Sequence, residues 1–169
     1  MSDIINVLVI IDTDRVIKNF PKPSKDQKSP IALSKGYQYM VVSDNNTISG
    51  NEEIDLNLNF SIETEKSIRF HGTSEYANFE KSILIYKIKS NNESRISNQL
   101  KLSSINTPIP LGSEVLPAKI VSMHFWFYEI KISLLIKRKG TQKCQLWFAL
   151  YVKEELYGYF YLDAAIKAN

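Results

Sequence analysis

Residues 6–20 read NVLVIIDTDRVIKNF, and how that stretch continues decides the fold. Val7, Leu8, Val9, Ile10 and Ile11 are apolar and mostly β-branched, the make-up of a strand. Asp12-Thr13-Asp14 then interrupts the run, and DTDRVIKNF reads as a short helix with Asp12 or Thr13 as its cap. Two architectures share such an opening. If helices and parallel strands alternate afterwards, the aspartates stand at the carboxyl end of a strand in an α/β sheet, where ligands bind. If strand follows strand, the aspartates end one strand, satisfy backbone donors and belong to an all-β protein.

The downstream pattern is one of strands. EIDLNLNFSIE (53–63) alternates strictly, with Ile54, Leu56, Leu58, Phe60 and Ile62 on one face and polar residues on the other. YQYMVVS (37–43), SIRFHG (67–72), KSILIYKIKS (81–90) and QLKLSSI (99–105) add further strands, with Asn91-Asn92 a turn signal after KSILIYKIKS. IVSMHFWFYEIKISLLIKRKG (120–140) is too long for one common strand and too rich in aromatic and β-branched residues for a helix. KCQLWFALYVKEELYGYFYLD (143–163) reads as a hairpin series, with Glu154-Glu155 and Gly158 marking the connection. Six prolines confine two irregular segments, 20–36 and 103–118. The expectation is an all-β, single-domain (1–169) antiparallel β-sandwich of about eight or nine strands, with one short helical turn near the N-terminus.

The D-x-D-x-V of Asp12–Val16 resembles the motif of haloacid-dehalogenase-type phosphotransferases, whose first Asp is nucleophile and second is general acid. That chemistry also needs a parallel sheet flanked by helices, a lysine to neutralise phosphate, and a later acidic cluster to hold magnesium. The chain after residue 16 offers no helical crossovers and no D-x-x-x-D cluster, so no catalytic residue and no enzyme activity are expected. A calcium site would need six or more oxygens. SDNNTISGNEE (43–53) is oxygen-rich but lacks EF-hand spacing, and a solvated turn is the simpler reading.

Composition bounds the rest. The 169 residues are 44% hydrophobic and 23% charged, with 21 basic and 18 acidic residues giving a net +3. Such a balanced, dispersed charge carries no footprint for nucleic acid. Lys137-Arg138-Lys139-Gly140, between two apolar runs, reads as a hairpin turn. The single cysteine, Cys144, excludes an internal disulfide and a multi-thiolate zinc site, and its apolar setting reads as core. His71 and His124 have no cysteine-protease context. No cofactor and no metal are expected. The opening MSDIINVLVII has Asp3 where a secretory leader would be basic, and no run approaches the length of a membrane span, so the cytoplasm is the expected address.

Taken in order, NVLVIIDTDRVIKNFPKPSKD, YQYMVVSDNNTISG, IDLNLNF, SIRFHGTSEYANFEKSILIYK and the closing YGYFYLD resemble the successive segments of the PixA/AidA inclusion-body protein family. The resemblance covers most of residues 4–89 and about the last fifteen, and is weak over about 90–120. It implies a small bacterial protein of a family found in host-associated species. Some members accumulate as intracellular inclusions, and some are under quorum-sensing control and linked to colonisation or virulence. It brings no catalytic residues. One departure stands out: the inclusion-forming members known best are methionine-rich, and this chain has three, Met1, Met40 and Met123.

Two functions follow as expectations. The first is self-association into ordered oligomers or inclusions. In MHFWFYEIKISLLI, alternation puts His124, Trp126, Tyr128 and Ile130 on one face and Met123, Phe125 and Phe127 on the other, so both faces are apolar and need cover. The alternative is a carbohydrate-binding, lectin-like module, for which exposed aromatics beside amides and carboxylates would serve. The contact residues expected under either reading are His124, Trp126, Tyr128, Trp147 and Tyr159. The expected partners are a second copy of the chain or a glycan, with no nucleic acid and no membrane span.

Overall fold

The strand opened by residues 6–11 sits inside a sheet. In the computed structural model, which describes residues 3–43, 56–60, 66–90, 98–111, 114–131 and 140–168, β1 (Asp3–Ile11) alternates strictly. Ile5, Val7, Val9 and Ile11 are buried, whereas Ile4 and Asn6 are exposed. The strand ends at Asp12, and α1 (Thr13–Asn19) follows as expected. Its Val16 is fully buried against the core.

Two sheets follow. The first runs in the order β3 (Gln38–Val42), β1, β5 (Lys66–Ser74), β8 (Glu114–Lys131), β7 (Asn98–Leu111). The second runs β2 (Ile31–Ala32), β10 (Glu155–Ala168), β9 (Gly140–Val152), β6 (Lys81–Ser90), and β4 (Leu56–Phe60) also lies beside β10. Their inner faces share one apolar core. Ile68 and Phe70 of the first sheet and Leu146, Phe148, Phe160 and Leu162 of the second are all sealed from solvent. Phe148 and Phe160 stack at 5.8 Å, and Phe20, just past α1, closes on Phe160 edge-on at 5.8 Å. The sheets pack closely at Gly72, where a Cβ would lie 2.9 Å from Ile85 Cγ1, so no larger residue fits without movement.

The all-β reading holds, with four differences of detail. Pairing is mixed rather than purely antiparallel: β1 runs parallel to β5, and β10 runs parallel to β2 and β4. The described residues form ten strands. The third difference concerns 103–118, which is not irregular. β7 continues to Leu111, and β8 begins at Glu114 and runs unbroken for 18 residues to Lys131. Pro108 and Pro110 therefore lie within a strand, opposite Ile120 and Ala118. They are two residues apart, on one phase of a strand whose single partner among the described residues is β8, and proline is tolerated where the missing N–H faces away from the partner. Gly158 lies inside β10, and the β9–β10 turn is made by Lys153 and Glu154, with Lys153 at φ 55°. The turns expected at 44–53, 91–92 and 137–139 fall outside the described residues, as do the side chains of β4. Among the described residues no helix is long and apolar enough to cross a membrane.

Candidate functional site

The acidic triplet after β1 is consumed by structure. Asp12 caps α1, its Oδ1 accepting from the backbone N–H of Arg15 at 2.9 Å. Thr13 is completely buried, and both its N–H and its hydroxyl donate to the carboxylate of Glu75, each at 2.8 Å. The same carboxylate accepts from the backbone N–H of Asp14 at 3.0 Å, so an acidic group closes the helix N-terminus where its unpaired donors point. Asp14 accepts from Tyr76 Oη at 2.7 Å and pairs with Lys81, whose ammonium also lies 4.3 Å from the Tyr76 ring centre. The Lys81 hydrogen bond, and then that of Tyr76, hold the Asp14 carboxyl below its ordinary range. An ionised, lysine-paired Asp14 is poorly suited to act as a general acid.

The turn that brings Glu75 and Tyr76 here is held by side-chain hydrogen bonds. Asn78, at φ 61°, accepts from the N–H groups of Ser74 and Ile83 at 2.9 Å each. Its tip carries Phe79, 88% exposed.

A second group lies on the outer face of the β6–β9–β10 sheet. Tyr86 meets Tyr159 edge-on at 5.5 Å and Trp147 at 6.3 Å, and Trp147 meets Tyr161 at 6.4 Å. Lys87 and Lys89 lie over the Trp147 ring at 4.9 and 5.5 Å, and they help to bury it. A polar chain borders the rings: Trp147 Nε1 donates to Gln145 at 3.2 Å, and Gln145 Nε2 donates to Asp163 at 3.2 Å. One end of this face is crossed by residues 22–27. Ser24 O accepts from Tyr159 N at 2.9 Å, Gln27 O accepts from Tyr86 Oη at 2.9 Å, and Pro23 packs on Gly158. Burial is the main cause that pushes the Tyr86 hydroxyl up to about 12, so it remains a donor.

The third feature is an arm. Among the described residues β5 accompanies β8 only over Tyr128–Lys131, and towards its beginning β8 has β7 alone beside it. Where the two part, Nδ1 of His71 bonds the carbonyl of Trp126 at 3.0 Å and so acts as the donor. Tyr128 faces inward, and its hydroxyl donates to the Tyr86 carbonyl at 2.7 Å, tying the root of the arm to the other sheet. Trp126, His124, Ser122 and Ile120 share its face by alternation, with Leu102 and Ser104 opposite on β7. Every one of these is exposed, Ile120 by 61%, Leu102 by 51% and Trp126 by 48%. The other face differs at its root. Glu129 is buried there between Arg69 (3.0 Å) and Lys101 (2.5 Å), with the Arg69 guanidinium 4.7 Å from the Phe127 ring centre.

The family model for PixA, inclusion body protein, matches residues 3–168. The chain belongs to the PixA inclusion body protein family. Its structure is similar to the crystal structure of the inclusion body protein from Burkholderia cenocepacia J2315. The TM-score is 0.79 and the sequence identity 20%, with 99% of this chain and 97% of that chain covered. That likeness carries the fold. No curated protein matches the chain.

In this PixA-family chain the five residues expected from sequence fall in two places. His124 and Trp126 are on the arm, with Tyr128 turned inward at its root. Trp147 and Tyr159 are on the outer face of the opposite sheet, linked through Tyr86. Sequence reasoning missed Leu102 and Ile120, although both lie in strands it recognised; the missing signal was the register between β7 and β8. It also missed an apolar edge of the first sheet, where Tyr39 and Val41 of β3 oppose Ile10 and Leu8 and remain more than half exposed. Among the described residues, no group of three His, Cys, Asp or Glu could hold a metal ion.

Proposed function

We propose that this chain is a non-enzymatic packing unit that associates with itself, folded, into ordered oligomers or intracellular inclusions. The observation that carries the reading is the set of large apolar side chains left open on rigid β structure: Trp126, Leu102 and Ile120 on the arm, Tyr39 and Val41 at the sheet edge, and Phe79 on its turn. Scattered exposed apolar groups need no explanation, but several arranged on one sheet face commonly mark an association surface. Membership in a family described as inclusion body protein supports the same reading. The internal hydrogen bonding of Asp12, Thr13 and Asp14 supports a structural rather than a chemical role for the one motif that resembled an active site.

The test is expression of the untagged chain at modest level in bacteria. Ordered bodies that diffract and dissolve gently to folded, sedimenting oligomers are expected. A fully soluble monomer, or bodies of misfolded chain, would overturn the proposal. In a host-associated bacterium such bodies would serve host interaction, and loss of colonisation on deletion of the gene is the expected readout.

A second reading, glycan binding, has one specific observation in its favour. The half-buried Tyr159 and Tyr161 lie beside the Gln145 amide and the Asp163 carboxylate, with the buried Trp147 beneath Lys87 and Lys89 next to them, an arrangement suited to the apolar faces and hydroxyl edges of a sugar. Binding on a glycan panel that is lost in Asp163→Ala would establish it, and no binding would remove it.

A further inference from the structure

The exposed face of the arm is the continuation of a buried one. Phe70 and Tyr128 are paired neighbours on the core side of the first sheet, and alternation carries that side outward along β8 through Trp126 to Ile120. Among the described residues no strand of the second sheet pairs with this extension, and its side chains stand open. An isolated two-stranded ribbon is marginally stable in water, so an arm of this length gains by being covered.

The pattern along the face points to what covers it. Trp126 with Leu102 forms one apolar pad, and Ile120, opposite Pro108, forms another about 20 Å away at the ordinary rise of a strand. Ser122, His124 and Ser104 lie between, and no register position on this face from Leu102 to Pro108 or from Ile120 to Trp126 holds an acidic residue, lysine or arginine. Such a face repels no copy of itself. It is also symmetric about its midpoint: a two-fold axis near residue 123 places the Trp126 pad of one copy over the Ile120 pad of the other, and Ser122 over His124. Isologous contacts require this kind of self-complementarity. Pairing along the β7 edge is the less suitable mode, because Pro108 and Pro110 blunt that edge towards the tip.

We infer that the β7–β8 arm is a dimerisation element, stacking face to face on the same arm of a second copy across a two-fold axis. This rests on the proposed self-association and gives it a first step. The closed arm-to-arm dimer leaves the Tyr39–Val41 edge and Phe79 free to join dimers into larger bodies.

The experiment is sedimentation velocity across a concentration series, with wild type, Trp126→Lys, Ile120→Lys and Tyr39→Lys. Expected is a reversible dimer whose dissociation constant rises by about tenfold or more in each arm variant, as for truncation of a central apolar contact, and little in Tyr39→Lys. Because an arm variant could also disturb the ribbon, Ser122→Cys and His124→Cys proteins, which keep both pads, are mixed under mild oxidation. Disulfide-linked mixed dimers should form faster than dimers of either protein alone, with the buried Cys144 as a silent background. Unchanged dimers in both arm variants, dissociation in Tyr39→Lys alone, or no preference for mixed cross-links would overturn the arm while leaving self-association standing. A wild-type monomer at every concentration would overturn both.

Discussion

Glu75 and Thr13 meet across 62 residues of sequence, the carboxylate accepting from both the backbone N–H and the hydroxyl of the completely buried threonine. The bond pair joins the β5–β6 turn to the start of α1 and gives the acidic triplet its reason. Glu75→Ala strands two buried donors near the surface, where water can partly replace the carboxylate, and should cost about 1–2 kcal/mol in urea denaturation. Asp12→Asn should be nearly neutral, since asparagine caps as well as aspartate, whereas Asp12→Ala should cost about 0.5–2 kcal/mol. A magnesium-dependent phosphatase activity abolished by Asp12→Asn would contradict this assignment.

Gly158 and Pro23 make a second long-range pair. A Cβ on residue 158 would lie 2.4 Å from Pro23 Cβ and 3.1 Å from Ser24 O. Gly158→Ala should therefore lift residues 22–27 from the outer sheet face and destabilise by about 1–3 kcal/mol, the scale of an overpacked site. Pro23→Gly removes the two nearest obstructing atoms, Cβ and Cγ of the proline ring. The double variant should be more stable than the sum of the single effects, and a double-mutant cycle measures that coupling. Strict additivity would show that the segment does not bear on β10.

Glu129 provides the pH test. Burial pushes its carboxyl up, but hydrogen bonds from Lys101 and Arg69 and their charges outweigh burial and leave it below its ordinary 4.5. A folded value below the unfolded one means that the contribution is fully present above about pH 4.5 and fades as pH falls through the folded value. Wild type should lose stability over that acid window faster than Glu129→Gln. At neutral pH, Glu129→Gln should cost about 1–3 kcal/mol rather than the full penalty of a buried pair, because Arg69 and Lys101 are partly exposed and can rehydrate.

Much of this fold is written in local pattern. β1, α1, β3, β6 and the β9–β10 hairpin follow from alternation, a capping Asp and turn residues, all of which act over a few positions. The parallel partnership of β1 with β5 is not local, since a strand's periodicity states which face is apolar and not which strand lies beside it. The prolines near residues 108–117 misdirected the reading for a related reason: proline is excluded from a central strand but not from a ribbon with open edges, and only the topology distinguishes these. At the candidate surfaces, alternation placed His124, Trp126 and Tyr128 on one face correctly. That Tyr128 is anchored inward, and that Lys87 and Lys89 cover Trp147, depend on pairings between distant strands.

Cys144 should be silent in the native protein. It is buried in the core, and burial pushes its thiol up to about 12, so almost no thiolate exists near neutral pH. Labelling by an aromatic disulfide reagent at pH 8 should be negligible until denaturant is added. The rate should then rise with the population of the opened state. Fast labelling of folded protein would show that β9 opens locally.

The two tryptophans occupy opposite environments and report on different surfaces. Trp126 is 48% exposed on the arm, whereas Trp147 is buried beneath Lys87 and Lys89 with its indole N–H bonded to Gln145. In dilute solution Trp147→Phe protein, which retains Trp126, should emit at longer wavelength and be readily quenched by acrylamide. Trp126→Phe protein should emit at shorter wavelength and resist quenching. If the arms stack, raising the concentration should move the Trp126 signal to shorter wavelength and protect it, and leave the Trp147 signal unchanged, because the outer face of the β6–β9–β10 sheet takes no part. A sugar acting at that outer face should do the reverse, shifting Trp147 at constant concentration and sparing Trp126. The pair of single-tryptophan proteins thus assigns any association or ligand to its surface, and a concentration-independent Trp126 spectrum would argue against the arm as the contact.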